Sequence, residues 1–151
     1  MGVTTDLLNG IAGKIAAEAT PAIVWNPNAV YTASQTGIFM KFVPTAPDRV
    51  VVLTAVNQGD DISMPAGQVM VQVRGRGLPN RPTDVDDLLD SIFPILHGAT
   101  DLIFGTVTVT QMNRKVRVPM GQDDSKRWEL IDQYYLDVST PPTVLRPTSG
   151  N

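Results

Sequence analysis

Apolar and polar residues alternate along residues 69–77, VMVQVRGRG. Val69, Val71 and Val73 fall on one face of an extended chain, and Met70, Gln72, Arg74 and Arg76 fall on the other. This period of two is the signature of a half-covered strand. Just upstream, residues 49–56 (RVVVLTAV) form a nearly continuous β-branched run, which predicts a central strand covered on both faces. Residues 57–67, NQGDDISMPAG, read as a loop that is long for a hairpin. Further strands are expected at 38–42, at 102–112 with Phe104-Gly105 near its start, and at 128–138. Asn113-Arg114-Lys115 reads as a break, after which 116–118 continues or returns.

Helical periodicity occurs twice. Over 5–19, capped by Thr4 or Thr5, residues Leu8, Ile11, Ala12, Ile15 and Ala19 make one stripe. Gly10 and Gly13 each weaken this helix by about 1 kcal/mol relative to alanine. The lack of a side chain would also let a neighbour approach closely. The second helix follows Thr83, with Asp86 completing a capping-box-like pattern and Asp84, Asp86 and Asp87 favoured by the helix dipole. Val85, Leu88, Leu89, Ile92, Phe93 and Leu96 form its apolar stripe, and Pro94 is expected to kink or end it near Phe93. Trp25 is expected to anchor the 21–37 loop on the core.

The element order predicts an α+β fold: a mainly antiparallel or mixed sheet of four to five strands with two helices packed on one face. Residues 1–140 read as one domain, and 141–151, after Pro141-Pro142, as a C-terminal tail.

Composition narrows the function. Twelve Lys and Arg against fifteen Asp and Glu give a net charge of −3. The basic stripe expected of a duplex-DNA binder is missing. The absence of cysteine excludes disulfides and thiolate chemistry. Neither a long apolar run nor a signal-peptide pattern is seen, so a soluble, unexported protein with no membrane partner is expected. No phosphate loop, nucleophile elbow or dinucleotide fingerprint occurs. The one histidine, His97, reads as a helix-end or surface residue. Asp84, Asp86, Asp87 and Asp90 read as the solvated face of a helix, and Asp60-Asp61 and Asp123-Asp124 as turn pairs. No catalytic residue, cofactor or metal is therefore expected. Arg74 and Arg76 read either as edge charges or as ion-pair donors to a neighbouring subunit.

Three stretches carry a resemblance: V-Q-V-R-G-R-G, D-V-D-D-L-L-D-S-I-F-P-I-L-H-G, and G-Q-D-D-S-K-R-W-E-L-I-D-Q-Y-Y-L-D-V. Together with the segment from Ile38 to Thr54, they resemble the minor capsid or tail-terminator proteins of long, non-contractile-tailed bacteriophages, over roughly residues 38–146. The resemblance implies a structural virion protein in the tail or neck, assembled in the host cytoplasm. It would form a six-membered ring at the head-proximal end of the tail tube, halting polymerisation and presenting a surface for head joining. The implied partners are further copies of the chain, the tail-tube protein and a neck or head-completion protein. Genome DNA would pass through the lumen without specific binding, and an acidic wall would suit that passage.

A closed ring needs two different complementary patches on each subunit. Arg74, Arg76 and Arg127 are the basic candidates, with Asp123 and Asp124 as acidic counterparts. Asp60, Asp61, Ile62 and Met64 in the 57–67 loop are candidates for contact with the tube or neck. The competing readings are a head-completion protein or tail-tube subunit and, more distantly, a small hydrolase or ligand-binding domain.

Overall fold

The computed structural model describes residues 2–28 and 30–146. Two helices, α1 (Val3–Glu18) and α2 (Asp84–Leu96), lie on one face of a six-stranded sheet. The strands are β1 (Gly37–Met40), β2 (Val50–Asp60), β3 (Ala66–Arg76), β4 (Thr100–Phe104), β5 (Val107–Gln122) and β6 (Trp128–Ser139). Their order is β1-β2-β3-β6-β5-β4. β1 runs parallel to β2, and every other pair is antiparallel. The α+β class holds, and the sheet is mixed with one strand more than the upper estimate.

The alternation read from residues 69–77 places the core. Val71 and Val73 face the helices beside Val51 and Leu53 of β2 and Tyr134 and Leu136 of β6. From α1 come Leu7, Leu8, Ile11, Ala12 and Ile15; from α2, Val85, Leu88, Leu89, Ile92, Ile95 and Leu96. Burying a leucine or isoleucine contributes about 1.5–3 kcal/mol. Four such residues on α1 therefore outweigh two glycine penalties of about 1 kcal/mol each. A second, smaller cluster of Phe39, Val50 and Val52 lies on the opposite face, covered by Tyr31 and Val43. It forms because the 41–49 connection must return along the sheet before β2 can run parallel to β1. The β-branched run is thus covered on both faces at its start and bare at its end, where Val56 is exposed. Trp25 packs against the main core, as expected.

Several boundaries differ from the sequence expectation. The loop expected over 57–67 is mostly strand: β2 continues to Asp60, β3 begins at Ala66, and 61–65 alone connect them. A bulge at Asn57/Gly59 absorbs the irregularity, with the Asn57 side chain accepting from the Gly59 N–H at 3.0 Å. The strand expected over 102–112 is instead a hairpin. Gly105 turns it with φ +58°, and Asp6 of α1 accepts from both the N–H (3.0 Å) and hydroxyl (2.6 Å) of Thr106. Asn113-Arg114-Lys115 does not break the chain, because β5 passes through it by bulging against β6 at three places.

The caps differ too. Gly2, not a threonine, precedes α1, and Thr83 makes no side-chain cap on α2. Asp84 instead accepts from the Leu78 N–H at 2.8 Å and from Arg49 Nε at 2.9 Å. Pro94 neither ends nor breaks α2, which runs on to Leu96 with the His97 N–H bonded to the Phe93 carbonyl. So near the C-terminus, proline removes a single N–H donor.

Of the expected tail, residues 147–151 lie outside the described residues. Residues 141–146 are held against the β2–β3 connection: Arg146 Nη1 donates to the carbonyls of Asp61 and Met64, and the Thr140 N–H to that of Pro65.

The two helical glycines differ in environment. A Cβ at Gly10 would collide with the Cβ and ring of Phe104, whereas at Gly13 it would meet open space. Gly10→Ala is expected to lower stability by about 1–3 kcal/mol, since the overlap exceeds the gain in propensity. Gly13→Ala should raise it by about 0.5–1 kcal/mol. Urea denaturation of the two variants checks the opposite signs.

Candidate assembly surface

The face of the sheet away from the helices is built in rows by the strand register. Gln68, Asp137 and Gln111 form one row, Met70, Tyr135 and Asn113 the next, then Gln72 with Gln133, and Arg74 with Ile131 and Val118. Both glutamines of the first row donate to Asp137, at 3.1 and 2.8 Å. Lys115 lies over the Tyr135 ring, 5.0 Å from its centroid. Asp137 and Lys115 are thus the charges of its first rows, and a denser set of ions lies at the end where β3 finishes.

There the three candidate arginines have distinct roles. β3 lies between β2 and β6, so Arg74 and Arg76 are not on an edge strand as expected. Arg74 pairs with Glu129 of β6 at 2.6 Å and keeps 35% of its side chain exposed. Arg76 is buried and donates to three carbonyls: Pro44 at 2.6 Å, Pro47 at 2.7 Å and Asp48 at 2.8 Å. Burial, then nearby Arg127, lowers its pKa from the ordinary value. Arg127 is also buried and reaches Asp123 Oδ2 (2.8 Å), the Thr45 carbonyl (2.7 Å) and Asp48 Oδ1 (3.0 Å). Arg76 and Arg127 thus clamp the 44–48 connection inside the subunit. Asp124 is exposed.

Asp123 shapes the β5–β6 turn, accepting N–H bonds from Ser125 (3.0 Å) and Arg127 (2.9 Å). Partial burial works against its charge, but these bonds and the Arg127 guanidinium prevail, holding its carboxyl below the ordinary 3.8. The acidic face of α2 is partly paired as well. Arg49 takes Asp84 at 2.9 Å, and Arg117 takes Asp90 at 2.8 Å. Arg117 also forks onto Asp132 at 2.7 and 2.9 Å. Asp132 is buried beneath α2, where Arg114 approaches it at 3.4 Å. Hydrogen bonding to Asp132 raises the Arg117 pKa against the opposing effect of burial. Burial, then Asp132, likewise pushes the neighbouring Tyr134 phenol up.

Asp132 was not anticipated as a functional or structural site. Its signal was present: it occupies an inward slot in the alternation Leu130, Asp132, Tyr134, Leu136, Val138. His97 stacks on Phe93 with ring centroids 4.5 Å apart, and its Nδ1 accepts from the Arg114 N–H at 3.0 Å, a structural role at the end of α2.

The candidate loop residues sit at the tip of the β2–β3 hairpin. Asp61 Oδ1 accepts from the N–H (2.7 Å) and hydroxyl (2.8 Å) of Ser63 and the N–H of Met64 (3.0 Å). These bonds, led by those from Ser63, lower its pKa. Ile62 is 91% exposed and Met64 41%, while Asp60 accepts from the Asn57 amide. Among the described residues no cluster of His, Cys, Asp and Glu could hold a metal, and no helix is long and apolar enough to cross a membrane.

Two outcomes are expected. Arg76→Lys should lower stability by about 2–3 kcal/mol, because a lysine cannot reproduce the guanidinium fork toward three carbonyls. Thermal and urea melts measure the loss, and amide exchange should localise it to 41–49. A carboxyl depressed in the fold contributes stability that is present above its ordinary value and lost as pH falls through the depressed one. Stability should therefore fall as pH drops below about 3.8. Denaturation between pH 5 and pH 2 should show a shallower dependence for Asp123→Asn than for the parent.

The matched family bears on what this surface is for. No curated protein matches the chain. The family model described as bacteriophage tail terminator protein matches residues 23–140, from the loop that Trp25 anchors on the core through the last strand. By that match, the chain belongs to the bacteriophage tail terminator family, a family of structural phage tail proteins.

Proposed function

We propose that this chain closes the head-proximal end of a phage tail tube as a ring of six subunits. The ring stops tube polymerisation and offers the surface to which the completed head joins. The family match over residues 23–140 carries this reading. The chemistry of the subunit agrees with it, since its buried ions are engaged with one another or with loop carbonyls rather than gathered about a cleft. The partners are other copies of the chain, the tail-tube protein and a neck or head-completion protein. The protein resides in the virion after assembly in the host cytoplasm, and DNA passes through the lumen without being read. Of the residues expected at the contacts, Arg74 and Asp124 keep accessible charge, whereas Arg76, Arg127 and Asp123 act first within the subunit.

Native mass spectrometry of the purified protein, alone and mixed with its tail-tube protein, tests the reading. A closed oligomer of six subunits is the expected result. Open-ended filaments from the protein alone would reassign it as a tube subunit, and monomers in both samples would overturn ring assembly. Charge reversal at Arg74 would set two carboxylates together at Glu129, so Arg74→Gln is the cleaner variant. It should retain the fold at a cost of about 1 kcal/mol, discounted for the arginine's exposure, and weaken the oligomer.

A further inference from the structure

The two ends of the sheet are chemically different. At one end the β2–β3 tip presents Ile62 and Met64, with Val144 and Leu145 of the C-terminal segment 98% and 88% exposed. Arg146 holds that segment to the tip. Two acidic residues, Asp60 and Asp61, lead into the tip; among the described residues neither forms an ion pair, and the nearby Arg146 guanidinium, bonded to the Asp61 carbonyl, offsets part of their charge. At the other end, a groove of about 380 Å³ lies between the start of α2 and the β5–β6 hairpin. Pro82, Thr83, Val85, Pro119, Trp128 and Leu130 line it. Arg81 immediately precedes its wall, and the Lys126 carbonyl accepts from the neighbouring Asn80 N–H at 2.9 Å. Both cations are exposed, and among the described residues neither forms an ion pair.

We infer that the groove receives the β2–β3 tip of a second copy of this chain. Ile62 and Met64 enter against Trp128 and Leu130, and Asp60 and Asp61 face Arg81 and Lys126. The register supplies the geometry. The tip adjoins Ala66, which pairs with Ser139, whereas Arg76 pairs with Glu129 at the groove. The ten steps of β3 from Ala66 to Arg76, at about 3.3 Å each, separate the two patches by about 33 Å. Two different patches at opposite ends of one subunit make a heterologous contact, which repeats from copy to copy and closes when the rotation allows. Apolar tip against apolar groove supplies affinity, while the unpaired charges of opposite sign fix orientation. The lining also carries two acids, each beside an arginine: Asp86 with Arg117 4.0 Å away and Glu129 paired with Arg74 at 2.6 Å; Asp124 is exposed beside the turn. This inference rests on the ring reading and assigns the hairpin tip to a neighbouring subunit rather than to the tube or neck.

The absence of cysteine gives a clean background for the test. Met64→Cys and Thr83→Cys are introduced singly and together in the full chain, both at exposed positions. Under oxidation the double variant should give a ladder of disulfide-linked oligomers. An equimolar mixture of the single variants should give mainly dimers containing one of each. Asp60→Lys with Asp61→Lys should reduce cross-linking of the double variant at least tenfold, and adding Arg81→Glu with Lys126→Glu should restore it. Native mass spectra of the parent are recorded alongside. A closed oligomer without the Met64–Thr83 disulfide would overturn this contact and leave the ring reading standing. Monomers at every concentration, with and without the tube protein, and no disulfide would overturn both. Dimers formed by Met64→Cys alone, in preference to the mixed pair, would show a tip-to-tip contact and overturn the inference.

Discussion

The antiparallel ladder between β3 and β6 joins two parts of the sheet that would otherwise have nothing in common. Eleven consecutive residue pairs, from Ala66 with Ser139 to Arg76 with Glu129, run without a register shift. On one side of it stand β2 and β1, and on the other β5 and β4. Because the side-chain period is two, an unbroken register assigns every residue of both strands to one face. Val71, Val73, Tyr134 and Leu136 go to the helices, while Gln72, Arg74, Gln133 and Tyr135 go to the outer face. A one-residue slip would move Asp132 to the outer face and put Ile131 under α2. Irregularity is tolerated only away from this ladder, in the three bulges of β5 and the one of β2.

Charge is used inside the subunit to hold pieces that apolar packing does not reach. The 44–48 connection lies between β1 and β2, outside any strand ladder. Two buried arginines satisfy its carbonyls from the ends of β3 and β6. Asp132 does the converse, bringing Arg117 and Arg114 against the sheet beneath α2. Ion pairs of this kind add little net stability over apolar packing, but removing one member leaves its partner uncompensated. The arrangement therefore fixes where the loop and helix sit more than how tightly the core is held.

The main strands and both helices were legible because their periods are strong and uninterrupted. The hairpin at Gly105 was not, since T-V-T-V-T alternates immediately after the turn and a single glycine is a weak stop. Bulges leave no trace in period-two patterning, so the crossing of Asn113–Lys115 read as a break. Arg74 and Arg76 were correctly placed on the outer face, but the buried role of Arg76 could not be read. Its partners are backbone carbonyls of a distant loop, and carbonyls carry no residue code. The family was legible in three local stretches. The groove and tip were not, because both depend on which strand ends the register brings together.

The strand at the centre of the sheet is the last one made. β2 with β3 and β4 with β5 can each form as a hairpin while the chain is still being synthesised, but each then has an open edge that only β6 covers. Folding must wait for residues 128–139, and the contacts that complete it are separated by more than fifty positions on the β3 side. High sequence separation slows such a step, and open edges during the wait invite pairing with other chains. The interval before β6 docks is when misassembly competes most directly with folding.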